Sequence, residues 1–237
     1  MTIKEVVKQA KYIQFPYINE SYKTDYDERN PVKLPIIPGE NVLYTDMPKG
    51  NGHHYTYKYT YDYVMPVISK LLGFKYSKDD FNLIETFNGE YDLSYLRPKE
   101  KETYTVICYE TGEVVRGNFG ALMDPVFFEE PLYREIYRFP HSCSRIVNHT
   151  TKSERKLMVS GDSQMIPAIP VLAHYFKEVW YFDNRTGYGI DKKTGRHVFN
   201  EKKFKSYRNR YRPIIFTDVL ISFYCRSLDW YEYWNLQ

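Results

Sequence analysis

The most constraining stretch of this chain lies between residues 156 and 183. An apolar run, Leu157-Met158-Val159-Ser160, enters Gly161-Asp162-Ser163; a helix-like segment covers 165–176, and a second apolar run, Val179-Trp180-Tyr181-Phe182, follows. Strand, tight turn, helix and strand in that order make a βαβ unit, whose two strands lie parallel in one sheet with the helix against a face. A serine on the strand-to-helix turn has its hydroxyl lifted clear of the sheet edge and set beside backbone N–H groups. Acyl-transfer chemistry takes these two things from a scaffold, a nucleophile and donors for the oxyanion. Because a serine hydroxyl attacks well only when a base takes its proton, and histidine titrates in the right range, a histidine base is expected elsewhere in the chain.

Around this unit the sequence predicts a short amphipathic helix over 3–12. An arm or loop over 14–38 is rich in Pro, Asn, Asp and Tyr, and a short strand is expected over 41–46. The turn Pro48-Lys49-Gly50-Asn51-Gly52 precedes a helix over 59–72 that carries Tyr63, Val64, Val67, Ile68, Leu71 and Leu72 on one face. Gly73 closes that helix and Pro66 is expected to kink it. Tyr104-Thr105-Val106-Ile107-Cys108-Tyr109, the turn Glu110-Thr111-Gly112-Glu113 and Val114-Val115 carry a hairpin signal, and a final strand is expected within 214–224. Between 185 and 212, Lys and Arg alternate with Tyr188, Phe199, Phe204, Tyr207 and Tyr211. Such interleaving suits a polyanion or an anionic glycan, and a solvated insertion is the plainer explanation.

At 237 residues, 43% of them hydrophobic, the chain can bury a substantial core. It reads as one α/β domain, with an N-terminal arm over about 1–40 and a polar basic insertion over about 185–212. The +3 formal charge is a small difference between 33 basic and 30 acidic residues, so no nucleic-acid partner is expected. Cys108, Cys143 and Cys225 are odd in number and widely spaced, against a disulfide framework and against paired metal ligands; no metal is expected. Charges within the first ten residues break any signal-peptide core, and no window approaches the ~20 apolar residues of a membrane span. A soluble protein, cytoplasmic by default, is the expectation. The 25 tyrosines suit amphipathic surfaces such as sugar-binding clefts, and serve equally as ordinary core residues.

Six histidines are candidates for the base. His53 and His54 directly follow the Gly-Asn-Gly turn and precede a helix, a loop position suited to that task. His141 and His149 lie ahead of the serine strand, and His141 offers Cys143 a Cys-His pairing that lacks a nucleophile turn. His174 falls on the helix after the serine, where a packing role is expected.

The Gly161-Asp162-Ser163 turn, the segment 167–176 and Val179-Trp180-Tyr181-Phe182-Asp183-Asn184-Arg185 resemble SGNH-type hydrolases, in the branch containing alginate O-acetyltransferases and DHHW proteins. That branch carries its acid and base ahead of the serine, in an Asp-x-His-Trp motif followed by Thr and a helix; His53-His54-Tyr55-Thr56 stands in the corresponding place. Gly117-Asn118-Phe119-Gly120-Ala121-Leu122 resembles its Gly-Asp-Leu or Gly-Asp-Phe segment, and residues 218–228 resemble its closing strand. The order of these motifs over 44–228, rather than any one of them, carries the resemblance.

The resemblance implies a three-layer α/β sandwich with a mainly parallel sheet flanked by helices. It also implies Ser163 as nucleophile, His54 as general base with His53 as the alternative, and no cofactor. The N–H of Ser163 would donate to the oxyanion, with Gly117 or Asn118 as further donors. The family's aspartate falls on Gly52, which cannot orient an imidazole; Asp46, across the turn, or a backbone carbonyl would have to take that role. Asp162 is expected to cap the following turn, and Arg185 to bind a substrate carboxylate or to pair with Asp183.

The activity implied is that of a carbohydrate-active serine O-acetylesterase or O-acetyltransferase, which differ only in whether water or a sugar hydroxyl takes the acyl group from Ser163. The partner is then an acetylated glycan or other carbohydrate. The second reading, motivated by Gly52, is an inactive SGNH-like protein that binds a glycan or a partner protein. A nucleotide-binding reading fails for want of a glycine-rich phosphate loop.

Overall fold

A computed structural model of the chain describes residues 9–16, 31–35, 55–88, 91–92, 94–109, 111–123, 143–183, 188–190, 197–199 and 215–223. In chain order the elements are β1 (Lys11–Gln14), β2 (Val32–Lys33), α1 (Met65–Leu72), β3 (Phe81–Ile84), β4 (Phe87–Asn88), β5 (Tyr91–Asp92), β6 (Tyr95–Pro98), β7 (Tyr104–Cys108) and β8 (Val114–Gly117). They continue with β9 (Cys143–Asn148), β10 (Lys156–Gly161), α2 (Ala168–Tyr175), β11 (Glu178–Asp183), β12 (Tyr188–Ile190), β13 (His197–Phe199) and β14 (Asp218–Phe223).

Eight strands form one sheet in the order β2-β1-β14-β10-β11-β9-β7-β8. From β2 to β11 every neighbouring pair is parallel, and from β11 to β8 every pair is antiparallel. The α/β class and the β10-α2-β11 unit agree with the sequence. The sheet is parallel only on the β11 side, because β9, which the apolar pattern did not announce, lies antiparallel between β11 and the predicted hairpin β7–β8.

Val106, Ile146, Val179, Leu157, Val159 and Leu220 point to one face and join α1 and α2 in a single hydrophobic core. Met158, Trp180 and Phe182, on the other face, are buried as well. Burial on both faces is why β10 and β11 read as continuous apolar runs rather than as alternation.

The predicted 59–72 helix is present with two features of its own. It begins with an α-helical turn at Tyr57–Tyr59, capped by the Thr56 side chain, widens to a π-helix over Thr60–Val64, and returns to α-helical geometry in α1. Pro66 has no N–H to donate, and the chain accommodates it by widening the preceding turn. Gly73 ends α1 in the left-handed region at φ 65°, where a side chain would be strained. At the N-terminus the predicted helix over 3–12 overruns: Lys11 and Tyr12 belong to β1, whose Ile13 is fully buried beside β14. Ile13 and Phe15 inward against Tyr12 and Gln14 follow a period of two, which is a strand.

Polar networks lock the edge of the sheet where β10, β11 and β14 begin. Glu178 accepts from Arg145 Nε at 2.9 Å and Trp180 Nε1 at 3.0 Å, and lies 3.1 Å from Lys156 Nζ. Burial would raise its pKa, but the hydrogen bonds from Arg145, Trp180 and Lys156 outweigh that and hold the carboxyl below its usual value. Arg155 pairs with Asp218 and donates to the Leu72 carbonyl, satisfying an end of α1. Glu102, 5% exposed, accepts from Tyr104 Oη and Asn148 Nδ2 and lies 3.0 Å from His174 Nδ1.

Candidate active site

The opposite edge, where the parallel strands end, holds the Gly161-Asp162-Ser163 turn. Gly161 pairs with Asp183 of β11. A Cβ on Gly161 would come 2.7 Å from Met165 Cγ, 3.1 Å from Met165 Cβ and 3.4 Å from Ser222 Cβ, so glycine is what lets the chain fold back over its own strand. Asp162, 5% exposed, accepts the Gln164 N–H on Oδ1 at 3.0 Å, the capping role expected of it. Its carbonyl accepts the Met165 N–H and the Tyr181 hydroxyl, each at 3.0 Å, which fastens the turn to β11. Ser163 opens the 3-10 turn Ser163–Met165 between these two fixed points.

Across this turn lies the segment that follows the paired histidines. Gln164, buried, accepts the Tyr55 N–H on Oε1 at 3.0 Å, a bond between residues 109 apart in sequence. Tyr55 is held again at its other end, where its hydroxyl donates to the Pro16 carbonyl at 2.7 Å. Its ring stacks between Phe15 and Tyr59, with centroids 5.6 and 4.5 Å away. Tyr59 in turn donates its hydroxyl to the Pro35 carbonyl at 2.8 Å. Burial, with Tyr55 and Tyr63 nearby, pushes the Tyr59 phenol well above its usual pKa, so it remains a donor. These tyrosines bind the segments leaving β1 and β2 to the helix, which gives part of the chain's tyrosine content a structural use.

Ser163 therefore sits on the predicted strand-to-helix turn. His53, His54, Asp46 and Arg185 lie outside the described residues, as do Gly52 and His141. Gly117 and Asn118 are not brought to the turn. Gly117 pairs with Tyr104 at the far end of β7, level with Asn148, on the opposite edge of the sheet from Gly161. It also lies four strands away, about 19 Å at the usual strand spacing. The Asn118 side chain instead accepts the Gly120 N–H at 2.9 Å, capping a short 3-10 helix.

The other titratable candidates are occupied elsewhere. His149 contacts Thr105 Oγ1 at 2.8 Å beyond the end of β9, and His174 packs edge-on against Phe81 and Tyr175 beside Glu102. Cys143 is fully buried within β9. Gln164 and Ser222 also lie at this turn without having been singled out in the sequence, and Asp183, named there only as a partner for Arg185, is 2% exposed and the register partner of Gly161; buried Ser222 is the nearest β14 side chain to that glycine. Their positions at the carboxyl ends of adjacent strands were the available signal, since ligands of open α/β sheets bind there. No group of three metal-ligating side chains occurs among the described residues, and no helix among them is long and apolar enough to cross a membrane.

No family model matches the sequence, and no curated protein matches it significantly. Solved structures do resemble the fold, among them three with a TM-score of 0.55. Bacillus cereus PatB1 is 17% identical, over 95% of this chain and 86% of its own. The same protein with a sulfonyl adduct is 16% identical, over 94% and 82%. A DHHW family protein from Eubacterium siraeum is 12% identical, over 95% and 80%. At these identities the likeness is one of fold alone.

Proposed function

We propose that this chain is a carbohydrate-active serine O-acetylesterase or O-acetyltransferase working through an acyl-Ser163 intermediate. His54, or its neighbour His53, takes the serine proton and returns it to the leaving group, and Asp46 or a main-chain carbonyl orients the ring. One observation carries the reading: the Gln164 Oε1 to Tyr55 N–H bond joins the residue after Ser163 to the residue after His54. Each candidate group is one peptide unit, about 3.8 Å between Cα atoms, from a partner in that bond.

The fold likeness supports the same chemistry. PatB1 is known with a sulfonyl adduct, the kind of group that an activated nucleophile takes up. The carbohydrate class rests on the resemblance to alginate O-acetyltransferases, and on the aromatic, basic composition around 185–212.

Mixing with an activated acetyl ester should give a burst of leaving group equal to the enzyme present, then slower turnover. Ser163→Ala should lose both phases; a variant as fast as the parent removes the proposal. Retained binding of an acetylated glycan with no turnover in either protein would favour the inactive binding reading instead.

A further inference from the structure

We infer that Gln164 is a positioning residue for the acyl-transfer step: its side-chain carbonyl sets the histidine-bearing segment against the serine turn. The inference rests on the proposed function and adds to it the part of the molecule that aligns base with nucleophile. The two groups come from distant parts of the chain, and correct alignment is what makes a Ser-His pair reactive; a displacement of about 1 Å costs on the order of a hundredfold in rate.

The bond is built to transmit position. On the serine side, the Gln164 N–H is fixed by Asp162 Oδ1 at 3.0 Å, and the Asp162 carbonyl by Tyr181 and Met165. The Gln164 backbone therefore moves only with the turn that carries Ser163. On the histidine side, Tyr55 is held by its stacked ring and by its hydroxyl on Pro16, so its N–H points where its neighbours leave it. Gln164 Oε1 closes the gap between two fixed bodies at 3.0 Å, and both partners are buried. A neutral amide suits the place. It accepts the N–H at every pH and carries no charge of its own.

The experiment compares Gln164→Met and Gln164→Glu with the parent on an activated acetyl ester, as pH profiles of kcat and kcat/KM, with thermal unfolding alongside. Gln164→Met loses the acceptor and keeps the volume; it should lower kcat about a hundredfold with KM changed less than about threefold. Gln164→Glu keeps an acceptor, so it should recover much of kcat. It also sets a carboxylate against the residue that follows His54, so the acidic limb of kcat/KM should move upward by roughly half a pH unit or more.

A Gln164→Met enzyme that unfolds earlier but keeps its kcat and pH profile overturns the inference and makes Gln164 a structural tie only. So does a Gln164→Glu enzyme whose acidic limb stays in place. Ser163→Ala, run in parallel, separates this failure from that of the proposed function, because only the latter leaves Ser163→Ala as active as the parent.

Discussion

The two edges of the central sheet are both rich in buried polar groups and use them in opposite ways. Where β10, β11 and β14 begin, the partners close on one another. Glu178 takes Arg145, Lys156 and Trp180, Arg155 takes Asp218 and the Leu72 carbonyl, and Glu102 takes Tyr104, Asn148 and His174. Each carboxylate there has at least two donors, and the result is a fixed base for the strands. Where the same strands end, the bonds instead hold a turn and a loop in register. Asp162, Gln164, Tyr181 and Tyr55 form a frame around Ser163 and the segment after His54. A cluster whose members satisfy each other stabilises, whereas a frame whose bonds run to main-chain groups on either side of a gap positions whatever spans it. His174 beside Glu102 has the makings of a catalytic pair, but its ring packs edge-on against Phe81 and Tyr175, which makes it the structural histidine that its place on the helix led one to expect.

If that contrast holds, damage to the first edge should cost stability and damage to the second should cost turnover. The largest stability loss is expected from Glu102→Ala, which strands the Tyr104 hydroxyl, Asn148 amide and His174 ring in a buried place. It should lose about 3 kcal/mol in denaturant unfolding while the folded fraction keeps its kcat. Loss of kcat at unchanged stability would move chemistry to this edge.

Next in size is Gly161→Ala, whose methyl has no room beside Met165 and Ser222. Relieving that overlap should cost about 2 kcal/mol and shift the 3-10 turn that Ser163 opens, so stability and kcat should fall together. An unaffected kcat would show that the turn tolerates displacement.

The smallest effect belongs to Glu178→Gln. The Glu178 carboxyl lies below its unfolded value of about 4.3, so it contributes stability that is fully present above that pH and is lost as pH falls through the folded value. The substitution should flatten the acid-side fall in Tm below about pH 4 and cost about 1 kcal/mol or less at neutrality, since Arg145 and Lys156 are about one-third exposed. An unchanged acid limb would mean that other carboxylates govern acid unfolding.

Local rules made the scaffold legible in the sequence. Gly112, at φ 75°, turns the β7–β8 hairpin as its position promised, and the apolar runs of β10 and β11 gave the βαβ unit and the serine turn. What failed was what depends on distant partners. Strand β9 mixes Arg145 and Asn148 with apolar residues because it answers to Glu178 and Glu102 across the sheet, and no local period shows that. Gly117-Asn118 kept the appearance of an oxyanion loop until strand order put it at the other edge. Gln164 was invisible for the same reason, since its partner is 109 residues away. In the candidate site, the serine turn was readable and the frame around it was not.

Covalent labelling shows whether the turn Gly161-Asp162-Ser163 carries an activated nucleophile, as proposed. The protein is treated with a small sulfonyl fluoride at neutral pH, digested, and the modified peptide mapped by mass spectrometry. One sulfonyl group per chain is expected on Ser163, absent from Ser163→Ala. No label, or a label that Ser163→Ala carries unchanged on another residue, would contradict it.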